Sequence, residues 1–333
     1  MGIDVGSTTV KVVAIDEQFN IIYKSYVRHY ARVRETVLSE LEKVRTRFPG
    51  DYSVSITGSA GLGISQRSGI NFVQEVQAAF IAIRKYYPDA DAAIELGGED
   101  AKIIFITGGT EQRMNGSCAG GTGAFLDQMA TLLNVTVQEM DELALKAQKV
   151  YPIASRCGVF AKSDIQPLIN QGAKKEDISA SIFQAVVDQT VSGLAQGRRI
   201  KGKVLFLGGP LYFLKALRKA FVETLNLGDN AIFPDDAPCF MAIGAALNSQ
   251  ANKPESLSSV IQKLANVRDS EEIETGEPLF TSKEEYADFV ARHRATDLKF
   301  CDIATYKGEA YLGIDSGSTT TKLILITPDC RIL

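Results

Sequence analysis

Apolar positions along this chain recur with two periods, and each change of period marks an element boundary. Residues 1 to about 22 read as a strand, a glycine-rich turn, a strand, a turn at Asp16–Asn20 and a third strand. Over Ala31–Phe48 the residues Val33, Val37, Leu41 and Val44 fall at helical spacing, and Pro49-Gly50 ends that helix. The pattern then predicts a strand over Ser53–Ile56 running into the turn Thr57–Gly61, and a helix over Val73–Tyr86 with Glu75 in its first turn. Strands follow over Ala92–Leu96 and Lys102–Ile106, and then helices over Ala124–Leu133, about Val137–Lys146, a segment ending near Asn170, and Ile178–Gly193. A buried strand at Val204–Leu207, a helix at Leu211–Leu225, a short edge strand at Ala231–Phe233 and a closing helix opening at Phe240–Leu247 complete the series.

The opening strand–turn–strand occurs twice. Gly2–Lys11 (GIDVGSTTVK) returns as Gly313–Lys322 (GIDSGSTTTK), with the same residue in eight of ten positions, 311 residues further on. A glycine turn between antiparallel strands exposes backbone N–H groups, adds Ser/Thr hydroxyls and here ends on a lysine, which makes a phosphate cradle. Gly6, Ser7, Thr8 and Thr9 are the expected phosphate binders. Asp4, on the incoming strand, supports a hydrated Mg²⁺, and Lys11 either contacts phosphate or only caps the strand. A plain hairpin turn is the alternative for one copy, and the return of the pattern argues against coincidence. Gly97-Gly-Glu-Asp100, about ninety residues on, lies between two strands in the same way. The chain therefore reads as two similar α/β halves around a cleft, with Gly97, Gly98 and Glu99 as an opposing clamp. Glu99 or Asp100 would orient an attacking water.

This gives residues 1–90 with about 241–250 as one subdomain and 91–240 as the other. Residues 251–310 turn polar and acidic, which reads as a linker with one exposed helix around Lys283–His293. Residues 311–333 open a second, truncated module: the 23 residues from Tyr311 to Leu333 are too few to complete the domain that the first copy opens. The chain is then a fragment of a longer tandem protein, or else these residues fold back as a stray hairpin. His29 and His293 stand apart from any acid or cysteine cluster and read as surface residues.

Composition narrows the class. The 333 residues are 45% hydrophobic and 23% charged, as in a soluble globular protein of two or three domains. A net charge of −4 offers nucleic acid no electrostatic footing. No run approaches the roughly 20 apolar residues of a membrane span, and the N-terminus has no signal-peptide pattern. Five cysteines (118, 157, 239, 301 and 330), odd in number and widely spaced, do not suggest a disulfide framework, which points to the cytoplasm. Cys118 and Cys157 each precede a predicted helix, where free N–H groups and the helix dipole stabilise a thiolate. Two cysteines do not make a four-thiolate site, but two copies of the module would supply four. Their spacing of 39 residues also fits two buried or free cysteines, and the other three read as structural.

These motifs resemble the BadF/BadG/BcrA/BcrD ATPases, which include the ATP-dependent activators of 2-hydroxyacyl-CoA dehydratases. The resemblance covers residues 1–250 and resumes at 311. It rests on Gly2–Lys11, Thr57-Gly58, Leu96–Lys102, Cys118–Asp127, Cys157–Ser163, Leu207–Gly209 and Ala242–Ala246, and is most specific at the cysteines. It implies an actin/Hsp70/sugar-kinase (ASKHA) fold, an α/β class with two ribonuclease H-like halves around a nucleotide cleft. It further implies ATP/ADP with Mg²⁺ in that cleft, adenosine against Gly208 and Gly209, and a 4Fe-4S cluster on Cys118 and Cys157 shared by two modules. The implied activity is ATP-driven transfer of a low-potential electron, from a ferredoxin- or flavodoxin-type donor, to an acyl-CoA dehydratase or reductase component. The implied assembly is a homodimer or a tandem-module pair. Glu99 stands where the family usually has glutamine, Lys162 where an acid is typical, and Pro210 with Leu211–Leu214 where a polar residue is usual, so base recognition is the weakest carry-over. A small-molecule kinase of the same fold would leave both cysteines unexplained. A non-enzymatic nucleotide switch would bind ATP without turnover or iron.

Overall fold

The computed structural model describes residues 1–115, 119–154, 157–267, 276–294, 298–317 and 320–333. The chain forms two compact units, Met1–Arg268 and Asp269–Leu333.

The first unit is built on two five-stranded sheets of one topology. In the first sheet, β1 (Gly2–Val5), β2 (Thr9–Ile15) and β3 (Ile21–Arg28) form an antiparallel meander. A short β4 (Asp51–Tyr52) precedes β5 (Ser55–Thr57) and β6 (Asn71–Phe72), which extend the sheet from β1 in parallel, giving the order β3-β2-β1-β5-β6. The second sheet repeats this with β7 (Ala92–Leu96), β8 (Ala101–Phe105), β9 (Glu111–Met114), β10 (Val204–Leu207) and β11 (Ala231–Ile232), in the order β11-β10-β7-β8-β9. The two α/β halves expected from the sequence are therefore present.

Alternation along the strands decides what each face buries. In the second sheet Ala92, Ile94, Leu96, Ile103, Val204 and Phe206 face a core shared with Phe125, Met129, Ile182 and Phe221 from the covering helices. Their neighbours Ala93, Ile104, Leu205 and Leu207 face a second core, which also takes Val13 from the first sheet. This second core contains the helices Glu75–Tyr86 and Phe240–Asn248, so it joins the two lobes. The first sheet turns Ile3, Val5, Val10 and Val12 onto a third core with Val37, Leu41 and Val44, three of the four residues predicted as the inner face of the first helix.

The closing helix Phe240–Asn248 is buried along almost its whole length and touches backbone on two sides. A Cβ at Gly2 would lie 1.9 Å from the Ala242 carbonyl oxygen, and one at Gly244 would lie 1.8 Å from that of Ala78. No side chain fits at either position, so the helix is seated directly between β1 and its neighbouring helix.

The structure differs from the sequence expectation in several places. Polar β9 and the glycine-bearing helix Gly61–Ser68 were not foreseen. The expected linker starts later than residue 251: β12 (Glu255–Ser256) pairs with β4, and the helix Leu257–Ala265 buries Leu257, Val260 and Leu264 in the first lobe's core. Ser256 caps that helix through its side chain, the polar feature that made the segment read as linker. The helix read as Ile178–Gly193 runs as an α-helix over Lys175–Asp188 and continues as π-helix over Gln189–Leu194.

The second unit carries the exposed helix Lys283–Arg294 and a hairpin of β13 (Tyr311–Ser316) and β14 (Thr321–Ile326). Ser318 and Thr319 of the repeated motif, and residues 268–275 of the linker reading, lie outside the described residues. The hairpin has the register of β1–β2, but Ile314 and Leu323 are 63% and 67% exposed where their counterparts Ile3 and Val12 are fully buried.

The closing helix yields a direct test. Gly244→Ala forces a methyl group into backbone and should destabilise the first unit by about 3 kcal/mol, the upper range for an overpacked core. Gly50→Ala, with nothing within 4 Å of its Cβ position, should stay within about 0.5 kcal/mol. Equal urea midpoints for the two variants would show that the helix is not seated this tightly.

Candidate functional site

Both lobes present the same device at the same point of their sheets. Asp4 of β1 pairs with Lys11 of β2, and Glu95 of β7 pairs with Lys102 of β8, each pair enclosing a four-residue turn. Gly6 N–H closes the first turn on the Thr9 carbonyl at 3.0 Å, and Gly97 N–H closes the second on that of Asp100 at 2.7 Å. Lys11 Nζ sits 3.0 Å from Asp4, with both side chains largely buried. Burial works against the Lys11 charge, but the Asp4 carboxylate more than offsets this and its proton is held more tightly than usual. Lys11, expected to contact phosphate or cap the strand, is thus first of all the partner of Asp4.

The second device is more crowded. Lys102 Nζ lies 2.5 Å from Glu75, 3.2 Å from Glu95 and 3.9 Å from Asp100. Burial opposes its charge, and Glu95 and Glu75 together outweigh that effect, so Lys102 stays an ammonium. Burial pushes the Glu95 carboxyl up, and Lys102 pulls it back only in part. Glu95 Oε2, although 3.2 Å from the ammonium, accepts no aligned hydrogen bond. Three carboxylates around one ammonium leave the region negative, beside turns whose N–H groups favour anions. The carboxylates of Asp4 and Glu95, one from each lobe and both lining the same cavity, are a donor set that would suit a hydrated Mg²⁺ between protein and phosphate.

The lobes meet at the two turns. A Cβ at Gly98 would lie 2.3 Å from Thr8 Oγ1 and 3.2 Å from Ser7 Oγ, so the Gly98 backbone lies directly against the hydroxyl side chains of the first turn. Between them lies a cavity of about 30 Å³, room for about one water. Its lining brings together the predicted Asp4, Gly6, Ser7, Thr8, Thr9, Lys11, Gly97, Gly98, Glu99 and Asp100. Neither Glu95 nor Lys102 stands out as a site residue in the sequence, and Glu75 only as a first-turn residue of its helix; all three line this cavity. A signal for the first two was available: an acid and a lysine seven residues apart recur at 4/11, 95/102 and 315/322.

From these turns a cleft of about 620 Å³ opens, within the range that holds drug-sized ligands and cofactors. Gly209 and Phe213 line its far side, with Gly208 just behind them at φ +87°. Arg28, at the end of β3, reaches across to Asp127 on the helix Gly123–Leu133 at 3.1 Å and ties the first lobe to the second at the rim.

Cys118 lies outside the described residues, but both flanks of its segment are held by the second turn. On one side Asn115 donates to the Glu99 carbonyl at 3.3 Å and accepts from Ala101 N–H at 2.8 Å. On the other, Gly123 and Ala124 N–H donate to the Gly97 and Gly98 carbonyls at 3.0 and 2.8 Å. Cys157 is the residue before the helix Gly158–Asn170, as expected, and Ala161 and Ile165 of that helix share a core with Phe125 and Leu126. Val159 and Phe160, directly after it, are 73% and 59% exposed. Among the described residues no group of three or more His, Cys, Asp or Glu side chains is placed to hold a metal ion. Cys239 is buried, its thiol pushed up to about 11 by desolvation.

Comparison with known proteins agrees with this geometry. Residues 1–249 match the BadF/BadG/BcrA/BcrD ATPase family. The (R)-2-hydroxyglutaryl-CoA dehydratase activating ATPase of Acidaminococcus fermentans is 33% identical over 213 residues, 63% of this chain and 82% of its own length. The crystal structure of that dehydratase's component A from the same organism has a TM-score of 0.63 at 30% identity, over 78% of this chain and 97% of its own. The activator of 2-hydroxyisocaproyl-CoA dehydratase from Clostridium difficile, solved with bound ADPNP, also scores 0.63, at 25% identity over 81% and 98%. The fold is accordingly the actin/Hsp70/sugar-kinase type, two lobes each built on one sheet. No helix among the described residues is long and apolar enough to cross a membrane.

The buried cluster should behave as a unit. Lys102→Met removes the ammonium paired with Glu75 and Glu95 and should cost about 3–5 kcal/mol. Adding Glu75→Gln should restore a large part of that loss by removing an unpaired charge. Additive or unchanged urea midpoints would show that the three side chains are not coupled.

Proposed function

The chain belongs to the BadF/BadG/BcrA/BcrD ATPase family, and from that premise we propose that it is an ATP-hydrolysing activator of an acyl-CoA dehydratase or a benzoyl-CoA reductase-like partner. In this reading it delivers a low-potential electron, received from a ferredoxin- or flavodoxin-type donor. The observation that supports this most is the anchoring of the Cys118 segment: both of its flanks hydrogen-bond to the turn that would grip the nucleotide's phosphates.

The residues divide the work as follows. N–H and hydroxyl groups of Gly6–Thr9 hold the phosphates from one lobe, and Gly97 and Gly98 close on them from the other. Asp4 and Glu95 would hold Mg²⁺ through its waters. Glu99 or Asp100 orients the water that attacks the γ-phosphate. Gly208 and Gly209, with Phe213 beside them, take the adenosine side of the cleft. Loss of the γ-phosphate removes a contact shared by both turns, so Gly97–Gly98 shifts relative to Thr8. The helix Gly123–Leu133, hydrogen-bonded to that turn, follows as a rigid body.

Cys118 and Cys157 are then ligands. Each lies before a helix whose N–H groups favour a thiolate, and one module supplies two where a four-iron cluster needs four, so two modules pair. When bound, a 4Fe-4S cluster supplies the low-potential electron. The exposed Val159 and Phe160 beside Cys157 suit an apolar contact at such a junction. On the same reading, the hairpin of residues 311–326, with the register and ion pair of β1–β2, is the phosphate turn of a second module.

Anaerobic reconstitution with iron and sulfide tests the cluster. It should give about two irons per chain and a broad absorbance near ~400 nm, both lost in Cys118→Ala and Cys157→Ala. Protein that stays iron-free while still binding ATP would point instead to a kinase or, where turnover is negligible, to a nucleotide switch of the same fold.

A further inference from the structure

His29, read from sequence as a surface residue, is only 6% exposed and sits behind the first phosphate turn. It directly follows β3 and leads into a strained turn: Tyr30 and Ala31 adopt φ +47° and +63°, a region that side-chain-bearing residues rarely occupy and that persists only where surrounding contacts hold it. Four hydrogen bonds converge on His29, one of them from Arg32 N–H to its carbonyl at 2.7 Å. Its backbone N–H donates to the Thr8 carbonyl at 3.2 Å. Ala31 N–H donates to Nδ1 at 3.1 Å, which leaves the ring proton on Nε2, 3.1 Å from the Gly6 carbonyl. The imidazole therefore bridges the strained turn and the phosphate turn, as acceptor to one and donor to the other.

The consequence follows from peptide geometry. In a trans peptide the C=O and N–H point in opposite directions. Anchoring the Gly6 carbonyl on His29 aims the Ser7 N–H away from His29, and anchoring the Thr8 carbonyl does the same for the Thr9 N–H. Gly6, Ser7, Thr8 and Thr9 line the cavity between the lobes. We propose that His29 is a positioning residue for nucleotide binding, whose Nε2–H bond to Gly6 sets the direction of the phosphate-binding N–H groups. This rests on the nucleotide reading above. The neighbouring Arg28, paired with Asp127, and Tyr30, 79% exposed at the cleft rim, belong to the same strap.

Two substitutions separate the functions of the ring. Glutamine reproduces the position of Nε2 and can donate to Gly6, whereas asparagine reproduces Nδ1 and can serve only the local turn. ATP affinity in Mg²⁺ would be measured by titration calorimetry on the full chain and on His29→Gln, His29→Asn and His29→Ala, with thermal unfolding of each. His29→Asn and His29→Ala should weaken ATP binding by about three- to tenfold, the net worth of one hydrogen bond, while His29→Gln stays within about twofold of the parent. If asparagine restores affinity and glutamine does not, the ring only stabilises its own turn and the proposal fails. It also fails if all variants bind ATP like the parent and differ only in unfolding temperature. Should His29→Ala not fold, the two polar variants decide the matter alone. A parent chain that binds no ATP removes the nucleotide reading and this proposal together; a parent that binds it, with glutamine no better than alanine, removes this proposal only.

Discussion

Everything in the first unit depends on one steric constraint: the helix Phe240–Asn248 lies between β1 and the helix Glu75–Tyr86 with no side chain to spare at Gly2 or Gly244. That contact brings two sheets of identical topology close enough for their first turns to meet, again at a glycine, Gly98 against Thr8. Interiors this densely packed shift between discrete arrangements rather than deform continuously. A change in the gap between the turns is therefore passed on as a movement of whole elements. The elements fastened to the second turn are Asn115 and the helix Gly123–Leu133, the two ends of the Cys118 segment.

Electrostatics reinforces the same geometry. Ion pairs buried in a core are generally no better for stability than apolar residues of the same size. Their repetition behind both turns therefore points to the turns themselves. In the first lobe the pair is balanced, Asp4 against Lys11. In the second, Lys102 is shared among Glu95, Asp100 and Glu75, and Glu75 comes from the helix that joins the lobes. The lysine of one lobe is thus held by a carboxylate of the connecting core, and the excess negative charge lies where a metal–phosphate ligand would arrive.

How far the sequence could be read follows from where each signal resides. The turns were legible because glycine, hydroxyl and lysine recur at fixed spacing, and the inner face of the first helix because its apolar residues keep a 3.6 period. Strand Glu111–Met114 was not, since an edge strand reading Glu-Gln-Arg-Met buries little and shows no alternation. The helix Gly61–Ser68 carries two glycines, and neighbouring strands hold it where propensity would not. His29 was misread for a related reason. The partners that draw it inward are backbone carbonyls more than twenty residues away, Gly6 and Thr8, and a carbonyl leaves no mark in the sequence. Glu95 and Lys102 were within reach through the seven-residue spacing, which becomes meaningful only once the register is known.

The three hairpins separate what the local sequence specifies from what the fold adds. Asp315 and Lys322 form their pair at 2.9 Å with both side chains 66% exposed, whereas Asp4 and Lys11 form theirs at 3.0 Å almost fully buried. The ten-residue motif therefore keeps its register and ion pair without that burial, and in water such a pair is worth less than about 1 kcal/mol. What the lobe contributes is the removal of water. Desolvation opposes the charged form of each group, pushing the Glu95 carboxyl up, while it strengthens the attraction between the opposite charges that remain. The chemistry of the cleft thus lies in the burial of a motif that any exposed hairpin can assemble, and the burial depends on the helix Phe240–Asn248 and its missing side chains.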